Sequence, residues 1–233
     1  MPTAISATSS TRTVDRALGL LAVVCEQDAI MLSECARRAG LPTSTALRLL
    51  RTLEGSGFVA RGPDASFRAG PRLVQLGASA LGRQALVGLA EPALKRLVAA
   101  TGETAYLSIA GPADTAIYIA MVDGTHAVRH TSWVGRAMPC ADLAVGAALR
   151  GAVDASGYVA QRDRLEPDVT AIVAPIRRPG GVAGALSLLG PTYRIDDDTM
   201  RTYGGIVSAE ASALADQLAA PPWVPPRAEV ATQ

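Results

Sequence analysis

The residues best able to do chemistry are arginines. Arg37, Arg38, Arg48, Arg51, Arg61, Arg68 and Arg72 lie in one stretch whose only acids are Glu54 and Asp64, a local net charge of +5. Guanidinium groups at this density suit phosphate oxygens and guanine edges. Thr43, Ser44 and Thr45 precede Arg48 and Arg51 by about one helical turn. Short hydroxyl residues at a helix start let backbone amides approach a phosphate, and an arginine one turn on can reach a base. The whole chain of 233 residues carries only +1. That average hides an asymmetry, since residues 1–87 sum to +4 and residues 88–233 to −3. The basic part is expected to meet a polyanion and the acidic part something else.

Other reactive residue types are sparse. His126 and His130 would share a face on one strand, yet only Asp123 stands near them, so no metal site is expected. Asp196, Asp197 and Asp198 read as the charged start of a helix rather than a cation site. Cys25, Cys35 and Cys140 have no paired spacing, which excludes a disulfide framework and a zinc ribbon and fits a reducing compartment. Gly-x-Ser-x-Gly, Gly-x4-Gly-Lys-Ser/Thr, His-Glu-x-x-His and Cys-x-x-Cys are all missing, so neither an enzyme nor a cofactor is expected. No apolar run reaches the length of a membrane span, and the first residues do not read as a secretory leader. The expected location is the cytoplasm.

The elements that must carry these residues follow from periodicity. Val14, Ala17, Leu18, Leu21, Val24 and Cys25 predict one face of a first helix from Thr13. A second helix is expected over about Leu32–Ala39, ended by Gly40. A third starts on hydroxyl caps at Thr43–Thr45, runs to Glu54 and buries Ala46, Leu49, Leu50 and Leu53. Residues 58–61 and 66–68 read as a hairpin about Gly62-Pro63-Asp64-Ala65. Three helices and a hairpin form a winged helix-turn-helix. Arg61 and Arg68 are then wing contacts or solubilising charges, and Arg12 is a minor-groove arm or a tail residue.

After a linker helix and a helix over 89–101, the period changes. Strands are expected at 104–110, 115–122, 127–132, 157–161, 170–176 and 182–189, with turns at 111–114 and at Asp123-Gly124. A short apolar helix is expected at 143–149 and a long one from Asp196 to Ala220. The fold class is α+β. The expected domains are a disordered arm at 1–11, the winged helix at 12–71, a linker helix at 72–87, a domain with an antiparallel sheet at 88–220, and a disordered tail at 221–233.

Thr13-Val14-Asp15-Arg16-Ala17-Leu18, the run Leu41-Pro42-Thr43-Ser44-Thr45-Ala46-Leu47-Arg48-Leu49-Leu50-Arg51-Thr52-Leu53-Glu54, and Gly70-Pro71-Arg72-Leu73 resemble the IclR family of transcriptional regulators. Ala171–Ile176 and Ala185–Pro191 resemble two strands of that family's effector domain, which implies that residues 88–220 form a GAF/profilin-like effector-binding domain with an antiparallel sheet. The resemblance implies a dimer or tetramer that binds double-stranded DNA at a pseudo-palindrome and senses a small organic effector. Arg12, Thr43, Ser44, Thr45, Arg48, Arg51, Arg61 and Arg68 are the candidate DNA contacts. The candidate pocket residues carried over are Cys140, Leu143, Ala144, Val145, Gln161, Asp163, Ala171, Ser187 and Leu189.

The chain departs from the family at Ala141, where His is usual, at Ala147, where Lys is usual, and at Ala171 and Leu189, where Cys and Ser are usual. Burying an anion with fewer donors is costly. The expected effector is therefore larger and more apolar or uncharged, unless the domain senses nothing. The family also has tens of residues more between Gly151 and Gly157. One pocket wall is then missing or supplied by a neighbouring subunit. Cys140 and Ser187 also fit as ordinary core residues. The competing reading is a small-molecule-binding module or enzyme whose helical half only dimerises.

Overall fold

The computed structural model describes residues 11–82 and 85–219. The chain divides into two compact units, one ending at Arg83 and the other starting at Gln84. The expected arm at 1–11, apart from Thr11, and the expected tail at 221–233 lie outside the described residues.

The first unit contains α1 (Arg12–Cys25), α2 (Leu32–Arg38), α3 (Thr43–Gly55), β1 (Val59–Arg61), β2 (Phe67–Ala69) and α4 (Pro71–Gly82). Its core gathers Leu20 and Val24 of α1, Cys35 and Ala36 of α2, Ala46, Leu49 and Leu50 of α3, and Val59 and Phe67 of the hairpin. Ile30 exchanges both backbone hydrogen bonds with Phe67 at 2.8 Å, which ties the α1–α2 connection to the wing. The α2–α3 turn has a Schellman geometry. Gly40 takes φ +62, its N–H donates to the Arg37 carbonyl, and the Leu41 N–H donates to that of Ala36. A Cβ at Gly70 would stand 2.2 Å from the Gly57 carbonyl oxygen, so only glycine admits the chain crossing below the hairpin.

Three expectations change here. The cap of α3 is Pro42, not a hydroxyl, and no side chain bonds its first amides. Proline's preset φ ends the turn one residue earlier, which moves Thr43, Ser44 and Thr45 into the first helical turn. Leu53 is only half-buried. On α1, Val14 and Leu18 are 52% and 57% exposed and Cys25 is also exposed. The apolar face inferred from spacing is wider than the surface this unit covers.

The second unit contains α5 (Ala85–Thr101), β3 (Thr104–Gly111), β4 (Thr115–Val122), β5 (Ala137–Pro139), α6 (Ala144–Leu149), β6 (Val159–Arg162), β7 (Val169–Arg178), β8 (Gly181–Pro191) and α7 (Asp197–Ala219). The six strands form one sheet in the order β5-β4-β3-β8-β7-β6, with every neighbouring pair antiparallel. Side chains alternate between its two faces. One face puts Leu107, Ile172, Ala174, Leu186 and Leu188 against Leu94 and Leu97 of α5 and Val207, Ala211 and Leu214 of α7. The other puts Tyr106, Tyr118, Val173, Ala185 and Leu189 against Trp133, Cys140 and Ala144, Val145 and Ala148 of α6. Cover on both faces explains why β7 and β8 read as nearly unbroken apolar runs.

The stretch expected as a linker helix, 72–87, is helical where it is described, with α4 over Pro71–Gly82 and α5 from Ala85. Residues 127–132 are not a strand, and Asp123-Gly124 is not a hairpin turn. Instead Gly124 lies against the α5–β3 turn, where a Cβ would come within 2.6 Å of the Gly102 carbonyl oxygen, and the Thr125 N–H donates to that oxygen. The following residues fold His130 and Trp133 inward, and β5 completes the sheet edge beside β4. At α7 the Asp196 carboxylate accepts the Thr199 N–H at 2.8 Å, which makes it a helix cap. Glu103, fully buried, is held by Arg194 through bonds of 2.7 and 3.0 Å. Among the described residues no helix is long and apolar enough to cross a membrane.

Candidate functional site

The structure sorts the arginines of the first unit. Arg37 reaches Glu34 with two bonds of 2.8 and 2.6 Å, and Arg38 reaches it at 2.7 Å. These two cations pull the Glu34 carboxyl down to about 2, chiefly through their hydrogen bonds. The one carboxylate therefore matches half of their joint charge within α2. Arg48 and Arg51 instead make no ion pair among the described residues. With Ser44, Leu47 and Thr52 they line one shallow concavity on α3. The stripe that fixes this face is Ala46, Leu49 and Leu50, all buried. Because no side chain caps α3, the amides of Thr43, Ser44 and Thr45 face outward with no helical partner. Thr43 and Ser44 are exposed and Thr45 is half-buried.

In the wing, Arg61 pairs in register with Phe67 and Ala60 with Arg68, so Arg61 and Arg68 leave the hairpin on opposite faces. The Arg61 guanidinium lies 5.8 Å from the Phe67 ring centre, and that of Arg68 folds over the turn at Gly62. The turn is held by Asp64, which accepts from the Ser66 hydroxyl at 2.6 Å. Arg12 is the exposed first residue of α1. The surface so built combines an uncapped helix start, two unpaired arginines and two wing arginines. It can neutralise phosphates and present donors to base edges.

The second unit holds its polar chemistry inside. A small cavity of about 30 Å³ on the α6 side of the sheet is lined by Tyr118, Trp133, Leu143, Ala144, Val145, Gln161, Arg164, Leu165, Glu166, Val169, Ala171, Val173 and Leu189. Gln161 fixes its edge: the side-chain carbonyl accepts the Ala144 N–H at 2.6 Å and the amide donates to the Asp142 carbonyl at 3.0 Å. Behind the cavity, Tyr106, Tyr118, His130 and Trp133 form an edge-on aromatic cluster. The His130 and Trp133 ring centres are 4.3 Å apart at 88°, and those of Tyr118 and Trp133 5.3 Å apart at 67°. Burial pushes the Tyr106 phenol up to about 12 and the Tyr118 phenol further up. Burial lowers the His130 pKa against a weaker opposite pull from Glu166. The buried Trp133 Nε1 and Ser187 Oγ have no hydrogen-bond partner among the described residues.

Two family models match the chain: the IclR helix-turn-helix domain over residues 13–63 and the bacterial transcriptional regulator IclR C-terminal domain over residues 78–155. The chain belongs to the IclR family. It is a DNA-binding transcriptional regulator of that type. The HTH-type transcriptional regulator BhcR of Paracoccus denitrificans (strain Pd 1222) is 27% identical over 87% of this chain and 86% of its own length. The fold matches the crystal structure of an IclR transcriptional regulator from Alicyclobacillus acidocaldarius with a TM-score of 0.77 at 24% identity, covering 89% of this chain and 98% of that one. It also matches an IclR homolog from Microbacterium hydrocarbonoxydans, solved in complex with 4-hydroxybenzoate, with a TM-score of 0.73 at 24% identity, covering 88% and 98%. The family's regulators are not enzymes.

Of the residues carried over as pocket candidates, Leu143, Ala144, Val145, Gln161, Ala171 and Leu189 do line the cavity. Three do not. Cys140 is buried in the core beside α6, and burial raises its thiol pKa. Ser187 is buried in β8 between Tyr106 and Val173. Asp163 is exposed, and its carboxylate accepts from the Thr192 hydroxyl. Reading from spacing missed Tyr118, Trp133, Arg164, Leu165, Glu166, Val169 and Val173. The available signal was Trp133, one of two tryptophans in a chain with 4% aromatics. Residues 127–132 read as a strand, and that placed the tryptophan after an edge strand instead of inside. His126 and His130 also part. His126 lies 3.8 Å from Glu103, whereas His130 joins Tyr106. Among the described residues no cluster of three His, Cys, Asp or Glu side chains is placed to hold a metal.

Proposed function

We propose that this regulator reads a pseudo-palindromic operator in the cytoplasm as a homodimer or a pair of dimers, with α3 in the major groove. The observation that carries the reading is the face of α3 itself. Arg48 and Arg51 are unpaired and share one concavity with Ser44 and Thr52, beside an uncapped helix start. Ser44, Thr45, Arg48 and Arg51 make base and phosphate contacts. Arg61 and Arg68 contact the flanking backbone, and Thr43 and Arg12 complete the set. Val14 and Leu18 on α1, with Val74 and Leu76 on α4, are large exposed apolar residues of this unit and supply a surface for a second copy. Two copies would then read half-sites about 34–36 Å apart.

The cavity of the second unit takes a small organic effector, and its occupancy changes DNA affinity through residues 72–87. Its mostly apolar lining supports this, as does the 4-hydroxybenzoate held by the Microbacterium homolog. The test is fluorescence anisotropy of the full chain against DNA from upstream of its own gene, with scrambled DNA as control, across a salt series and with and without 4-hydroxybenzoate. Sequence-selective binding that falls steeply with salt supports the operator reading. Equal, weak binding to both DNAs at every salt removes it.

A further inference from the structure

We propose that Leu47 reads the C5-methyl group of a thymine in the operator, in the base pair next to a guanine read by Arg51. The proposal rests on the reading that α3 lies in the major groove, and it adds which base pairs that helix selects.

The starting point is a leucine among polar residues. Ser44, Leu47, Arg48, Arg51 and Thr52 line the concavity on α3, and among these five only Leu47 is wholly apolar. The buried stripe of the helix is Ala46, Leu49 and Leu50. With about 3.6 residues per turn, Leu47 falls between that stripe and the outward row of Ser44, Arg48 and Arg51. It is half-buried, packing on the core cluster while it borders the concavity.

The major groove offers such a side chain one partner. Base edges there present hydrogen-bond donors and acceptors, and the one apolar group among them is the C5-methyl of thymine. A leucine set against a purine edge would cover donors or acceptors without bonding to them, which costs free energy. Cytosine has no methyl and offers an amino donor that leucine cannot accept. A thymine gains a contact at this position, and every other base loses one.

The neighbouring base follows from the helix. Arg51 comes four residues after Leu47, so the two lie on one face a turn apart, with Cβ atoms about 5–6 Å from each other. Helical side chains lean towards the N-terminus, so the long Arg51 side chain can reach back over the turn that carries Leu47. That brings the two contacts onto adjacent base pairs, which stack about 3.4 Å apart. Arg51 makes no ion pair among the described residues. Its guanidinium matches guanine O6 and N7 with two bonds. The other lining residues are less well placed for this pairing. Arg48 sits on the far side of the row from Leu47, and the Thr52 hydroxyl already donates to the Arg48 carbonyl at 3.2 Å.

The test uses the full chain. Duplexes that it binds are enriched from a random library, and the selected operator is titrated by fluorescence anisotropy at one salt concentration. Each thymine is then replaced in turn by uracil, which removes the methyl and leaves the protein untouched. One thymine per half-site, beside a guanine, is expected to lose about fourfold in affinity, the worth of one buried methyl group. In Leu47→Ser that loss should vanish. In Arg51→Ala the preference for the adjacent guanine should vanish while the uracil penalty stays. Because the uracil scan is made on the unaltered chain, a poorly folded Leu47→Ser cannot hide its result. An enriched operator that tolerates uracil at every thymine overturns the proposal and leaves the operator reading standing. A uracil penalty that persists in Leu47→Ser overturns it too, since the methyl then belongs to another residue such as Thr52. So does a penalty at a thymine with no Arg51-dependent guanine beside it. If no sequence is enriched, the operator reading falls and the proposal falls with it.

Discussion

The two units put their polar chemistry on opposite sides of their cores. In the first, the core is aliphatic with a single phenylalanine, and the reactive groups of α3 and the hairpin are exposed. In the second, Tyr106, His130, Trp133, Ser187 and Glu103 are all buried, and three of them hold polar atoms without a hydrogen bond among the described residues. The physical consequence is a difference in coupling. An exposed arginine can be removed with little effect on folding, whereas a buried polar group cannot lose its partner cheaply. Recognition and stability should therefore separate in the first unit and stay entangled in the second.

The strongest way to break that contrast is Arg194→Met. It strips both bonds from the fully buried Glu103 carboxylate and should destabilise the second unit by about 3–5 kcal/mol in urea unfolding. A loss under about 1 kcal/mol would mean that water reaches Glu103 and that the second unit is not as dry as described.

Arg48→Ala sharpens the other side. It should weaken operator binding by about 1–3 kcal/mol with an unchanged unfolding midpoint. A shifted midpoint would show that recognition and stability are joined in the first unit too. Gln161→Ala removes the acceptor at the start of α6 and should cost roughly 1 kcal/mol of stability in the second unit. A smaller effect belongs to the wing. Arg61→Ala and Arg68→Ala should each weaken binding uniformly across DNA sequences and flatten the salt slope by about one unit. Loss of sequence preference in either variant would turn a backbone contact into a base contact.

The gentlest test is pH. The His130 pKa is lowered in the folded state, so the unfolded chain takes up that proton first. Its contribution is level above about pH 6.5 and is lost as pH falls below it. His130→Gln should remove this component of the acid slope in thermal unfolding.

Much of the first unit was legible in the chain. Periodicity places its helices, Gly40 ends α2, and the spacing of Ser44, Thr45, Arg48 and Arg51 around the Ala46–Leu49–Leu50 stripe puts them on the outward face. A local rule suffices there, since a helix turns 3.6 residues at a time whatever surrounds it. Even so, the cap of α3 fell to Pro42 because the turn geometry outranked the hydroxyl preference. The second unit was legible in its strands but not in its cavity. Residues 127–132 alternate like a strand, yet the structure spends them on carrying His130 and Trp133 into the core.

The sequence by itself determined the order of the elements, the two-unit division of charge, the outward arginines and the family. Helical spacing alone sets Arg37 and Arg38 beside Glu34, while Arg48 and Arg51 have no ion-pair partner among the described residues. Only the tertiary structure brought Tyr118, Trp133 and Glu166 to one cavity and left His130 Nε2 without a hydrogen-bond partner among the described residues. The reason is range. Helical facing and charge are set by neighbours along the chain, whereas a cavity and an unmet hydrogen bond exist only where β4, the 123–136 segment, α6 and the β6–β7 loop converge.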